Sequence, residues 1–207
     1  MAEYFQRTSD KCLSNHWTEN DTNWSSFFNC CTSGSMAEIS WRFAKNRLAD
    51  PTYLLKANIR VTENCQVCEK ITANAWHMII ECPLAKEIWG LVIAWASNIW
   101  QGRRLSLVDA LCGVKENNRS DILINFLTNS AKFYIYVQLI TAMKNDTHPT
   151  SLRDGYLKGI KSKILITFSW HKGMNKMDSF KDQWCIGEVL CSVNRGGELK
   201  WGGVLDL

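Results

Sequence analysis

With 207 residues, 46% of them hydrophobic, the chain can bury a core as one or two domains, which excludes a wholly disordered protein. Its formal charge is only +4, so any basicity that matters must be local. The opening Met1-Ala2-Glu3-Tyr4-Phe5-Gln6-Arg7 carries no apolar run, so no secretory signal is expected, and the reducing cytosol or nucleus would keep the nine cysteines reduced. In that setting the glycosylation-type matches at Asn20, Asn23, Asn118 and Asn145 are chance. Ten tryptophans exceed ordinary usage and read first as core packing.

The expected class is mainly α, a helical bundle with a small metal module and a short C-terminal β-hairpin. Residues 1–36 hold clusters of Ser, Thr, Asn and Asp and read as a loop-rich segment. Residues 37–103 form the next helical segment. In it a helix over Ala37 to Ala49 places Ile39, Phe43 and Leu48 near one side, and Asp50-Pro51 ends it and starts a short helix through Leu54 and Leu55. Beyond Pro83, Leu84, Ile88, Leu91, Trp95 and Ile99 recur at intervals of four, three, four and four, the pattern of an amphipathic helix that packs the module onto the core.

Residues 104–183 read as helical, with a basic helix. Between 122 and 143 the only charge is Lys132, yet Asn125, Thr128, Asn129, Ser130 and Gln138 make insertion into a bilayer costly. A buried central helix is the expectation there. From 151 to 181, Arg153, Lys158, Lys161, Lys163, Lys172, Lys176 and Lys181 face only Asp154 and Asp178, a net +5 in a chain of +4. Leu157, Ile160, Ile164 and Phe168 give this stretch an apolar helical stripe with Lys158, Lys161 and Lys172 beside it. In the tail, 184–207, the apolar run Val189 to Val193, the turn Asn194-Arg195-Gly196-Gly197 and Leu199-Lys200-Trp201 predict a hairpin.

The densest signal is Cys65-x2-Cys68-x8-His77-x4-Cys82, four metal-type ligands within eighteen residues. Zinc takes thiolate sulfur at about 2.3 Å and imidazole nitrogen at about 2.0–2.1 Å, and four protein ligands close its shell. A Cys3His set is therefore structural, with no open position for a substrate. Five residues turn a straight helix by about 500°, so His77 and Cys82 would lie roughly 140° apart, and a break must intervene. Pro83 supplies one, placing Cys82 at the cap of a new helix. Cys12, Cys30, Cys31, Cys112, Cys185 and Cys191 lack ligand spacing and read as small hydrophobes.

These four ligands, followed by Pro83-Leu84-Ala85-Lys86-Glu87-Ile88-Trp89, resemble the zinc-binding region of LINE-type, non-LTR retrotransposon reverse transcriptase polyproteins. Trp41-Arg42 stands where that family has a Trp-Arg pair, and Trp184-Cys185-Ile186-Gly187-Glu188-Val189-Leu190-Cys191 is similar to the C-terminal segment of vertebrate members. The resemblance spans residues 37 to 195 and departs from the family before the histidine, where Thr72-Ala73-Asn74-Ala75-Trp76 replaces its usual acidic residues. It implies engagement of RNA or DNA beside a polymerase.

The chain has no Asp-Asp pair to hold two catalytic metal ions, no phosphate-cradling Gly-x-x-x-x-Gly-Lys loop and no His-Glu-x-x-His helix, so no polymerase or nuclease activity is expected of it. His16, His148 and His171 are scattered, and no small-molecule substrate is indicated. Three readings stay open. One is a zinc-stabilised nucleic-acid-binding module in which Lys158, Lys161, Lys163 and Lys172 meet phosphate while Tyr156 and Trp170 stack on bases. Another is a protein-interaction or assembly module whose zinc only locks helices; the last is an element-derived fragment without selected function.

Overall fold

The computed structural model describes residues 24–28, 32–59, 63–65, 67–69, 73–203 and 205, so most of the N-terminal segment lies outside the described residues. After a short 3-10 turn at Trp24–Phe27, α1 spans Gly34–Ala44. It starts earlier than Ala37 because Ser33 accepts a hydrogen bond from the Met36 N–H and caps the first turn. It also ends before Ala49. Asn46 turns left-handed at φ 51°, so its own N–H reaches Phe43 C=O at 2.9 Å and the Arg47 N–H reaches Arg42 C=O at 2.7 Å. Leu48 is buried from the following loop rather than from the helix.

Among the described residues the remaining α-helices are α2 (Pro51–Lys56), α3 (Pro83–Ile99), α4 (Leu107–Cys112), α5 (Arg119–Asn145), α6 (Arg153–Gly173) and α7 (Met177–Trp184). A hairpin of β1 (Cys191–Val193) and β2 (Leu199–Trp201) pairs antiparallel with Cys191 opposite Trp201 and Val193 opposite Leu199. The fold is mainly α, as the sequence leads one to expect.

α5 is the hub, packed against α1, α3, α4, α7 and the Trp24–Phe27 turn. Over residues 121–132 every side chain but Ile122 is buried, so the polar residues there have no wet face and are used internally. Asn125 clasps the backbone of Val114, its Oδ1 accepting the N–H and its Nδ2 donating to the C=O, both at 2.8 Å. Asn129 donates to Ser26 C=O at 3.0 Å, and Thr128 and Ser130 return their hydroxyls to Asn125 C=O and Leu127 C=O. The buried central helix is thus confirmed; among the described residues no helix is long and apolar enough to cross a membrane. Around α5, Trp95 of α3 stacks on Tyr156 of α6 at 6.1 Å, and Phe126 meets Trp184 of α7 edge-on at 5.1 Å.

The chain just beyond the hairpin passes so close to the α7–β1 connection that a Cβ on Gly202 would collide with the carbonyls of Val189 and Glu188. Neither neighbour is a flexible side-chain end. Gly202→Ala is therefore expected to cost about 2–3 kcal/mol and lower the melting temperature by several degrees in thermal unfolding; an unchanged melting curve would show that the hairpin swings aside freely.

Candidate metal centre

The four candidate ligands are delivered by two turns. In the first, Glu69 sits left-handed at φ 52° and its N–H returns to Cys65 C=O at 2.7 Å, curling Cys65 and Cys68 toward one point. The second begins at Asp50, whose Oδ1 caps α2 by accepting from the Tyr53 N–H at 2.9 Å while its Oδ2 accepts from the Ala75 N–H at 3.3 Å. Asp50 so ties the approach to His77 to the head of α2. Asn74 Oδ1 then accepts the His77 N–H at 2.7 Å.

From His77 to Glu81 the backbone widens into a π turn, with the Cys82 N–H donating to His77 C=O at 2.8 Å. An i→i+5 turn places the sixth residue one full turn along from the first, which a straight α-helix does not. The break required by the spacing is therefore made within the turn as well as at Pro83. Cys82 takes the cap position of α3 at φ −55°, ψ 133°, with Pro83 in the first turn, and the Trp89 indole N–H donates to Ile79 C=O at 2.7 Å, pinning the widened turn to α3.

The ligand atoms of Cys65, Cys68, His77 and Cys82 all lie within 4.8 Å of one another, and the sulfurs of Cys65 and Cys82 are 3.9 Å apart. The edge of a tetrahedron with arms of about 2.3 Å is about 3.8 Å, so the cluster has the size of a four-coordinate thiolate site. Cys65, His77 and Cys82 are buried and Cys68 is half-buried. Both ring nitrogens of His77, a residue 2% exposed, lack a well-formed hydrogen bond, and Nδ1 lies 3.7 Å from Glu81 Oε2. An imidazole left unpaired in a core is costly; a metal ion taking one nitrogen, with Glu81 steadying the other, removes that cost. Glu81 is itself held by the Trp76 indole N–H at 2.9 Å.

The electrostatics favour the anion at Cys65 and the protonated thiol at Cys68 and Cys82. The Cys82 thiol, with smaller help from His77 and the N–H groups of Val67 and Cys68, holds Cys65 well below the usual thiol range against the opposing effect of burial. Cys82 is driven the other way by its hydrogen bond with Cys65, by burial and by the Cys65 charge, although the N–H groups of Leu84 and Ala85 at the head of α3 partly offset this. Burial raises Cys68 first, the Cys65 charge adds to it, and exposed Lys86 counters. Metal-free, the cluster thus holds its protons unevenly, and a divalent cation would displace those that remain.

Lys158, Lys161, Lys163 and Lys172 all fall on α6, whose Leu157, Ile160, Ile164 and His171 turn inward. They do not form one patch. At 100° per residue Lys158, Lys161 and Lys172 share a flank, whereas Lys163 lies about 180° around the helix from Lys172. On the shared flank Lys158 and Lys172 are exposed, and the half-buried Lys161 has its Nζ 5.6 Å from the Trp201 ring. Trp170 is 54% exposed, with Lys176 Nζ 5.8 Å from its ring. Tyr156 must be corrected: it is 2% exposed, its ring stacks on Trp95 and its hydroxyl donates to Leu127 C=O at 3.1 Å, so it offers no face to a base.

The structure adds two features that spacing did not reveal. Cys185 and Cys191, read as isolated small hydrophobes, bring their sulfurs to 3.9 Å. Lys132 is wholly buried, its Nζ 3.4 Å from Leu111 C=O and 5.1 Å from the Phe27 ring. Its lone charge in an apolar stretch was the only sequence signal for it. No family model matches the chain, and no curated protein or solved structure is similar to it.

Proposed function

We propose that Cys65, Cys68, His77 and Cys82 hold one structural zinc ion, and that the module so stabilised binds RNA or DNA through the Lys158, Lys161 and Lys172 flank of α6. The observation that carries the reading is the gathering of four ligand atoms within 4.8 Å of one another, one of them on the buried His77, whose ring nitrogens lack a well-formed hydrogen bond. Three thiolates with one imidazole suit zinc among biological divalent ions, and the closed shell assigns it folding rather than catalysis. The nucleic-acid half rests on the local positive charge and on the resemblance to LINE-type reverse transcriptase polyproteins. On this reading the chain carries no polymerase or nuclease step of its own and works in the nucleus or cytoplasm.

Salt titration of binding to a single-stranded RNA and a DNA duplex tests it, because displaced counterions make affinity fall linearly on logarithmic axes. The double variant Lys158→Glu, Lys172→Glu is expected to weaken low-salt binding about tenfold or more and to flatten the salt slope by about 1.5–2. Lys163→Glu, on the opposite flank, should do much less. Absence of binding at low salt sinks the nucleic-acid reading. It would leave the protein-interaction reading, which one observation favours: Ile166, Trp170 and Met174 present an apolar row at 68%, 54% and 52% exposure.

A further inference from the structure

We infer that Cys185 and Cys191 form a peroxide-reactive dithiol, a second cysteine site separate from the metal centre, whose oxidation clamps the C-terminal hairpin to α7. Cys185 caps the end of α7 and Cys191 opens β1. Between them a 3-10 turn, Ile186–Glu188, folds the chain back on itself, with Gly187 at φ 60° and Glu188 at φ 54° both left-handed. The reversal sets the sulfurs 3.9 Å apart, at contact, so they need approach by only about 2 Å to reach disulfide length. Cys191 is fully buried and its sulfur also faces Trp184 C=O at 3.6 Å, whereas Cys185 is half-buried.

That asymmetry divides the roles. An oxidant arriving from solvent meets Cys185 first, and Cys191 waits behind it as the resolving thiol. The hydrogen bond from Cys191 lowers Cys185 and Lys181 assists, against burial and the Glu188 charge, while Cys191 itself is held up by that same bond and by burial. With hydrogen peroxide as oxidant, the Cys185 thiolate attacks one peroxide oxygen; the S–O bond forms, the O–O bond breaks, and hydroxide leaves to become water. Cys191 then attacks the sulfenic sulfur. The S–S bond forms, the S–O bond breaks, and the departing oxygen takes up the thiol proton as a second water. Two thiols lose two electrons in all and one peroxide gains them.

Trypsin reads the outcome directly, because cleavage after Lys181 and Arg195 leaves Cys185 and Cys191 together on one peptide and the metal ligands on others. The zinc-loaded full chain is treated with stoichiometric hydrogen peroxide, alkylated with iodoacetamide, digested and weighed. The expected peptide is about 2 Da lighter than the reduced form, takes up no alkyl group, and takes up two after treatment with a thiol reductant. In Cys191→Ser, Cys185 should instead be trapped as a dimedone adduct. A wild-type peptide that still alkylates at both sulfurs, or one carrying sulfinic acid on Cys185 beside a free Cys191, would overturn the inference. Since the readout needs no variant to fold, a failed variant leaves the test intact.

Discussion

Cys82→Ser is expected to lose bound zinc and to melt roughly 10 °C below the wild type. Cys82 stands in two places at once, within the candidate ligand cluster and at the cap of α3. Serine is among the best capping residues, so this substitution keeps the cap and removes the ligand. What remains is a three-ligand cluster with Cys65 and His77 both buried. Structural zinc contributes on the order of 10 kcal/mol in small peptides that cannot fold without it, but here a helical core supports the segment independently, and a loss of about 3–5 kcal/mol is the reasonable scale. At roughly 2–4 °C per kcal/mol for a chain of this size, the shift in melting temperature follows. Elemental analysis should find one zinc per wild-type chain and none in the variant. A chelator should bring the wild type down to the variant's melting temperature and leave the variant unmoved. Because the ligands must be deprotonated, acidification should release the ion from the wild type as well. Full zinc content in Cys82→Ser, or an unshifted melt, would refute the centre.

Lys132→Met should stabilise the protein, by an amount that depends on pH in a stated direction. Burial pushes the Lys132 ammonium down from the usual 10.5 to about 7, slightly opposed by Cys112. Its folded value is therefore the lower one, and between those limits the unfolded chain binds more protons than the folded one. Stability rises with pH in that window, and below about pH 7 the penalty for a buried charge is fully present. A depression of this size corresponds to roughly 3–5 kcal/mol, so at pH 6 the methionine variant should exceed the wild type by a sizeable part of that figure. The advantage should shrink steadily toward pH 10. Taking the difference between the two proteins cancels the cysteines and tyrosines that titrate alkaline of neutrality. Denaturant unfolding at pH 6, 8 and 9.5 measures it, and an equal or growing difference with pH would show that Lys132 keeps its charge inside the fold.

The clustering of the four candidate ligands was legible because their geometry is short-range: two residues between Cys65 and Cys68, and a required break between His77 and Cys82, leave few ways to arrange the backbone. The central helix was legible for a similar reason, since its one charge and its amides excluded a bilayer. Helix ends were less so. Ser33 and Asn46 set the ends of α1, and neither gives the strong signal of a proline or glycine. Tyr156 failed for a non-local reason. It lies at the margin of the α6 stripe, and only Trp95 from α3 and Ser130 from α5, each brought in by tertiary packing, decide that it is interior. The Cys185–Cys191 approach depends on a left-handed glutamate, a conformation that residue type seldom adopts and that no pattern of neighbours announces.

The position of α5 bears on how the molecule comes apart. A helix that is buried through residues 121–132 on all but Ile122, and whose amides there are spent on loops and on the N-terminal turn, is expected to lose its shape once a layer leaves, as those layers are without it. Its pairings join residues as distant in sequence as Ser26 and Asn129. Opening is then collective: the described part of the chain behaves as a single cooperative unit with few stable partial states, and a ligand that tightens one edge, such as an ion held at the widened turn against α5, slows the exchange of amides throughout the interior.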